Sequence, residues 1–139
     1  MDSTDAPQII EHINKSVTFT PYETRWVPCS ARFVALGISP RAKGVMKVYE
    51  MSKGELVTAH EVEKPHGFKC ATFGASSLAD RHLATGDYEG HLQIWDLERT
   101  AVPLYSVKAH ESIVNCIDGV GGQSVGYGAP EIATGSRDG

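Results

Sequence analysis

Short apolar runs alternate with turn residues along this chain, and no stretch sustains the three-to-four-residue spacing of an amphipathic helix. The pattern predicts strands near Glu23–Pro28, Arg32–Gly37, Gly44–Glu50 and Glu55–Val62, with Ser52-Lys53-Gly54 as the turn between the last two. A second set falls near Phe68–Gly74, His82–Gly86, His91–Leu97 and Leu104–Lys108. A third set holds Ile113–Asp118 and Glu131–Gly135 and runs to Asp138-Gly139, a tight-turn signal that calls for another strand. Upstream, Gln8–His12 reads as one more short strand, after a polar, acidic Met1–Pro7 read as disordered.

The three sets are copies of one unit. Leu83-Ala84-Thr85-Gly86 is matched 49 positions downstream by Ile132-Ala133-Thr134-Gly135 and 49 upstream by Val34-Ala35-Leu36-Gly37. Gly90–Asp96 (GHLQIWD) is matched 46 positions upstream by Gly44–Glu50 (GVMKVYE), with an aromatic-acidic pair in the place of Trp95-Asp96. Cys70 and Cys116 are 46 apart, each inside an apolar run, and Thr24 takes that place in the first copy. Several short strands per unit, a period near 45 residues and a Trp-Asp ending are the signature of a β-propeller blade, a four-stranded antiparallel sheet.

The expected fold is therefore all-β, with roughly two and a half blades. Residues 8–22 are read as a ring-closing strand and linker, 23–62 as the first blade, 63–108 as the second and 109–139 as a truncated third. On this reading the sequence is an N-terminal fragment, and its bare end blades predict poor solubility or self-association when it is isolated.

Composition narrows the function. Hydrophobic content is 41%, charged content 22% and net charge −4, with 13 Lys and Arg scattered and no basic run, which speaks against a nucleic-acid binder. No apolar stretch approaches the ~20 residues of a membrane span, so no membrane partner is expected. Cys70 and Cys116 fall within predicted strands and are expected to be buried thiols, as in a reducing compartment. The six histidines are not at metal-ligand spacing, and no cofactor or metal is expected.

His110, Thr134 and Asp138 in the third copy, and Thr85, Glu89 and Trp95 in the second, could suggest catalytic constellations. Their recurrence argues instead for a buried hydrogen-bond network that ties the strands of a blade together. The first copy, with Leu36, Lys43 and Tyr49 at these places, lacks the network. The glycine-rich Gly119–Pro130 has neither the Lys-Ser/Thr of a P-loop nor a following helix, so it reads as a hairpin loop. Arg41, Lys43, Arg81, Tyr88 and Arg137, in turns or beside strands, are the candidate partner contacts.

These strand and turn residues resemble the WD-repeat family. The runs KCATFGASSLADRHLATGDYEG (Lys69–Gly90), WVPCSARF (Trp26–Phe33), PQII (Pro7–Ile10) and GAPEIATGSRDG (Gly128–Gly139) further resemble its axonemal dynein assembly factors. That resemblance implies a seven-bladed ring and a cytoplasmic, non-catalytic scaffold for preassembly of axonemal dynein arms. The implied partners are dynein chains and a co-chaperone complex of RuvB-like ATPases and prefoldin-like subunits, with a link to apoptosis. Two other roles stay open on residues alone. Tyr22, Trp26 and Tyr88 could form an aromatic cage for a methyl-lysine peptide, such as a histone tail. Trp95–Arg99 (WDLER) invites comparison with the box of cullin–RING ubiquitin ligase substrate receptors, although Arg99 comes one residue late.

Overall fold

The structure, a computed structural model, describes residues 2–122, 126 and 128–139. Among these all regular structure is β-strand. Strands β1 (Thr20–Trp26), β2 (Arg32–Ile38), β3 (Gly44–Ser52) and β4 (Glu55–Lys64) form an antiparallel sheet in chain order. Strands β5 (Phe68–Thr72), β6 (Leu83–Asp87), β7 (His91–Trp95) and β8 (Tyr105–Lys108) form a second sheet of the same order. Strands β9 (Val114–Val120) and β10 (Glu131–Ser136) pair as a third.

The central strands of the second sheet are apolar on both faces because that sheet is packed on both sides. Val34, Leu36, Met46 and Val48 of the first sheet meet Phe68, Ala71, Leu83 and Trp95 of the second in one buried cluster. Cys70 and Ala84, from the opposite face of the second sheet, meet Val114 and Ile117 of the third. Successive residues of a strand point to opposite faces, so Leu83 and Thr85 look back to the first sheet while Ala84 and Gly86 look on to the third. Gly86 is bare by necessity, since a Cβ there would stand 2.6 Å from Val114 and 2.7 Å from the Cys70 sulfur. The two faces of the second sheet are thus unlike: one carries the large aromatic, the other small residues and a thiol.

Several expectations change. Strand β1 runs Thr20–Trp26 rather than Glu23–Pro28. A bulge between Pro21 and Glu23 extends it upstream, and the chain turns at Pro28–Ser30, where Cys29 takes a positive φ of 54°. Strand β5 stops at Thr72, whose hydroxyl accepts the Gly74 N–H at 3.0 Å and draws the backbone into a turn. Gln8–His12 pairs with no strand here, and Ile9 is 98% exposed. Cys116 is exposed, not buried, because Cys70 lies under the third sheet whereas no sheet lies over Cys116.

The match between the first two copies also shifts by one residue. Trp95 is paired with Leu83, and Tyr49 with Phe33. Phe33 therefore stands where Leu83 stands, and Ala35, not Leu36, occupies the place of Thr85. A slip of one residue exchanges the faces of a strand, so the correction decides which side chains meet.

Candidate functional site

Three places were open to carry function: the recurring polar network, the turns at the strand ends, and the sheet surfaces. In the second sheet the buried Trp95 donates its indole N–H to the Thr85 hydroxyl at 2.9 Å. Phe68 meets the Trp95 ring edge-on at 6.1 Å, and the Lys64 ammonium lies 5.1 Å from its centroid. Glu89 contributes no side chain to this arrangement among the described contacts. Its backbone N–H donates to Asp87, as does that of His91, and the His91 ring meets the same carboxylate at 3.1 Å. Asp87 is 2% exposed, so all its partners are protein groups that hold the β6–β7 turn. Reasoning by offset missed Asp87 because it sought the acid two residues later, in line with Asp138.

In the third sheet His110 bridges Thr134 at 2.8 Å and Asp138 at 3.2 Å, and Asp138 accepts the Glu111 N–H at 2.8 Å. That backbone bond is the main cause holding the Asp138 carboxyl below its usual value, with His110 adding to it. In the first sheet Ala35 offers no hydroxyl, and the buried Tyr49 hydroxyl has no hydrogen-bond partner among the described residues. The Lys47 ammonium stands over the Tyr49 ring at 5.3 Å. These groups fasten strands and turns to each other, and none faces a cleft as a nucleophile with its base.

The five candidate contacts do not share one surface. Antiparallel order puts the β2–β3 turn (Arg41, Lys43), the β6–β7 turn (Tyr88) and the residues after β10 (Arg137) at one end of the sheets, with Arg81 at the other. Arg41, Lys43 and Arg137 are exposed. Arg81 is half-buried and donates to the Pro28 carbonyl at 3.4 Å, joining two loops of neighbouring sheets. Tyr88 is also half-buried; desolvation and the Tyr22 hydroxyl push its phenol up to about 12.

The aromatics proposed as a cage separate into two groups. Tyr22 lies 6.0 Å from Tyr88, and the Lys69 ammonium already covers its face at 4.0 Å. Trp26, four residues along β1 and thus ~13 Å away, packs against Phe33 at 5.3 Å. Beside it an apolar groove of about 460 Å³ runs over the first sheet, floored by Phe33, Ala35, Tyr49 and Leu56 and flanked by Val17 and Phe19. Asp96, in the stretch compared with a ligase-receptor box, accepts the N–H of Glu98 in a local turn, and Arg99 is exposed. Of Gly119–Pro130, Gln123–Val125 and Tyr127 lie outside the described residues. Among the described residues no group of His, Cys, Asp and Glu is placed to hold a metal, and no helix is long and apolar enough to cross a membrane.

Comparison with solved structures gives the arrangement of sheets its place. The β-propeller domain of Cps50 (Swd1) from Myceliophteria thermophila superposes with a TM-score of 0.55 at 18% identity, covering 73% of this chain and 32% of that one. The chain has the β-propeller fold. Its sheets correspond to blades of that fold, with the strand-end turns at their two ends. In sequence this propeller piece is 58% identical over 139 residues to dynein axonemal assembly factor 10 of Chlamydomonas reinhardtii, and 52% to that of Homo sapiens. In both cases the match covers 100% of this chain and 39% of the relative, so the chain spans about two-fifths of the curated relatives it matches. No protein-family model matches the chain.

Proposed function

We propose that the protein carrying this sequence is a non-catalytic adaptor in the cytoplasmic preassembly of axonemal dynein arms. The observation that carries the reading is identity above half, along the full chain, to proteins named as dynein axonemal assembly factors. The physical argument agrees with it. Its recurring polar residues are engaged in holding blades together, while a rigid stack of sheets presents many separate turns for binding. The adaptor would bring dynein chains to a co-chaperone complex of RuvB-like ATPases and prefoldin-like subunits, with a separate link to apoptosis. Residues 8–19, ahead of β1, would complete the ring from the side of the first blade, over the groove floored by Tyr49.

The test is affinity purification of the full-length protein from ciliated cells, followed by mass spectrometry. Dynein chains with RuvB-like and prefoldin-like subunits are the expected recovery. Histones or ubiquitin-ligase subunits in their place would overturn the adaptor role and leave the propeller intact.

A further inference from the structure

At the end of the sheets that carries the β2–β3 and β6–β7 turns, the junction of the first two blades gathers cations that no carboxylate of the described residues neutralises. Arg41 and Lys43 stand exposed on the β2–β3 turn, and Lys69 is the second residue of β5. None of the three has a carboxylate within 4 Å among the described residues, whereas Arg25, Arg32, Lys47 and Lys108 each have one. Of the acids in the adjoining strands, Glu23 is engaged by Arg25 and Glu61 by Lys47, both at 3.2 Å. Glu89 is exposed on the β6–β7 turn and pairs with none of the three. Both sheets have all four strands, and a blade stacked on either sheet face leaves these strand ends open.

Close contacts fix the three cations relative to each other. Gly67, in the linker to β5, lies so near Ile38 and the Tyr88 ring that a Cβ would stand 2.8 and 3.0 Å from them. The Gly67 carbonyl accepts the Tyr88 N–H at 2.9 Å. The β2–β3 turn is braced within itself: the Ser39 N–H donates to the Lys43 carbonyl at 2.8 Å, and the Ala42 N–H to the Ser39 carbonyl at 2.9 Å. The Lys43 N–H donates to the Ser39 hydroxyl at 3.2 Å. The Lys69 ammonium rests on the ring of Tyr22, itself 6.0 Å from Tyr88, and an ammonium on a ring keeps N–H donors on its far side. With its phenol pushed up to about 12 by desolvation and the Tyr22 hydroxyl, Tyr88 is a further donor at neutral pH.

We propose that this end of the junction docks an acidic, extended segment of a partner protein, whose carboxylates meet Arg41, Lys43 and Lys69 in a row. The inference deepens the adaptor reading and rests on it for the existence of a partner; the preference for carboxylates rests on these residues. Cations set on a turn of one blade and a strand of the next form a row, which suits successive carboxylates better than one phosphate, whose oxygens call for converging donors. Braced turns also lose little freedom on binding. A nucleic-acid strand fits less well. In a chain of net charge −4 the cations do not continue as a basic track, and the exposed ring here, Tyr22, is already covered by Lys69 and offers no face for a base.

The probe is a fluorescein-labelled ten-residue peptide of alternating glutamate and serine, compared with its glutamine–serine counterpart and with a ten-residue oligouridylate. Each is titrated at low salt into full-length protein and into its Arg41→Gln/Lys43→Gln and Lys69→Gln variants. The control is Lys53→Gln/Arg99→Gln, which removes the same charge as the first variant from exposed positions at the other end of the sheets. Equal melting temperatures check that the fold is kept. The acidic peptide should bind, and the glutamine peptide should bind about tenfold more weakly. Arg41→Gln/Lys43→Gln should weaken the acidic peptide about fivefold and Lys69→Gln about threefold, the scale of a few exposed charge pairs. The control should change it by less than about twofold, because screening confines each charge to its neighbourhood. No binding, an equal loss in the control, or tighter binding of the oligouridylate than of the acidic peptide overturns the proposal. Full-length protein that recovers dynein chains from ciliated cells yet fails these titrations rejects this face and keeps the adaptor role. Protein that passes them and recovers no dynein chains keeps the face and rejects the adaptor role.

Discussion

Replacing Thr85 by valine isolates the bond at the centre of the second blade. Valine nearly matches threonine in shape, so no cavity opens, and the 0% exposed site gives the indole N–H of Trp95 no water as substitute. The donor is left buried and unpaired, which costs about 1–3 kcal/mol. Trp95→Phe removes the donor instead, at the cost of lost burial against Phe68 and Lys64 and of an unpaired Thr85 hydroxyl. The double variant has neither orphan. Its loss should fall short of the sum of the two single losses by about 1–2 kcal/mol. Urea titration of the full-length protein, followed by far-ultraviolet circular dichroism, gives all four corners of the cycle, provided the m-values agree. Single losses that add to within about 0.5 kcal/mol would refute the reasoning, because the 2.9 Å contact would then carry no coupling.

Three further outcomes are expected. Burial pushes the Cys70 thiol up to about 12, so in native protein Cys70 should resist iodoacetamide while the exposed Cys29 reacts, as read by peptide mass spectrometry; comparable rates would show that the second and third blades are not packed together. Gly44→Ala should destabilise by more than about 2 kcal/mol although its φ is ordinary, because the new Cβ would meet the His66 carbonyl oxygen at 2.1 Å; an unchanged urea midpoint would contradict that close approach. Asp138 has a folded pKa below the usual 3.8, so what it adds to stability is present above that value and is lost as pH falls through the lowered one. The stability gap between the full-length protein and its Asp138→Asn variant should therefore be open at about pH 6 and should narrow below about pH 4, and a gap that is flat with pH would refute the assignment.

The repeat was readable because Trp95, Gly90 and the paired cysteines sit at spacings that local strand and turn lengths dictate. Local pattern also placed most strands to within a few residues. What failed depended on contacts between distant segments. Offset matching put Leu36 in the place of Thr85, because similarity of letters does not register which face of a strand a residue occupies; only the pairing of Phe33 with Tyr49 does. Asp87 was overlooked for a related reason: its value as a turn anchor comes from burial, which the neighbouring sheet supplies. Cys70 and Cys116 look equivalent in sequence and differ in exposure because one has a sheet over it. Among the candidate contacts, the strand order separates Arg81 from the other four, a consequence of antiparallel topology rather than of composition.

The unlike faces of the second blade give the stack a direction. In the second blade the Trp95 face receives the aliphatic face of the first, and the opposite face, with Cys70, Ala84 and Gly86, receives the third. Such head-to-tail contacts cannot be satisfied by turning one blade over, and a pair of identical pieces cannot satisfy both faces of either. Heterologous joints of this kind end only where rotation brings the last surface back to the first; without closure they can propagate as an open filament. Curvature of the stack is therefore as much a condition of solubility as the charge on its surface.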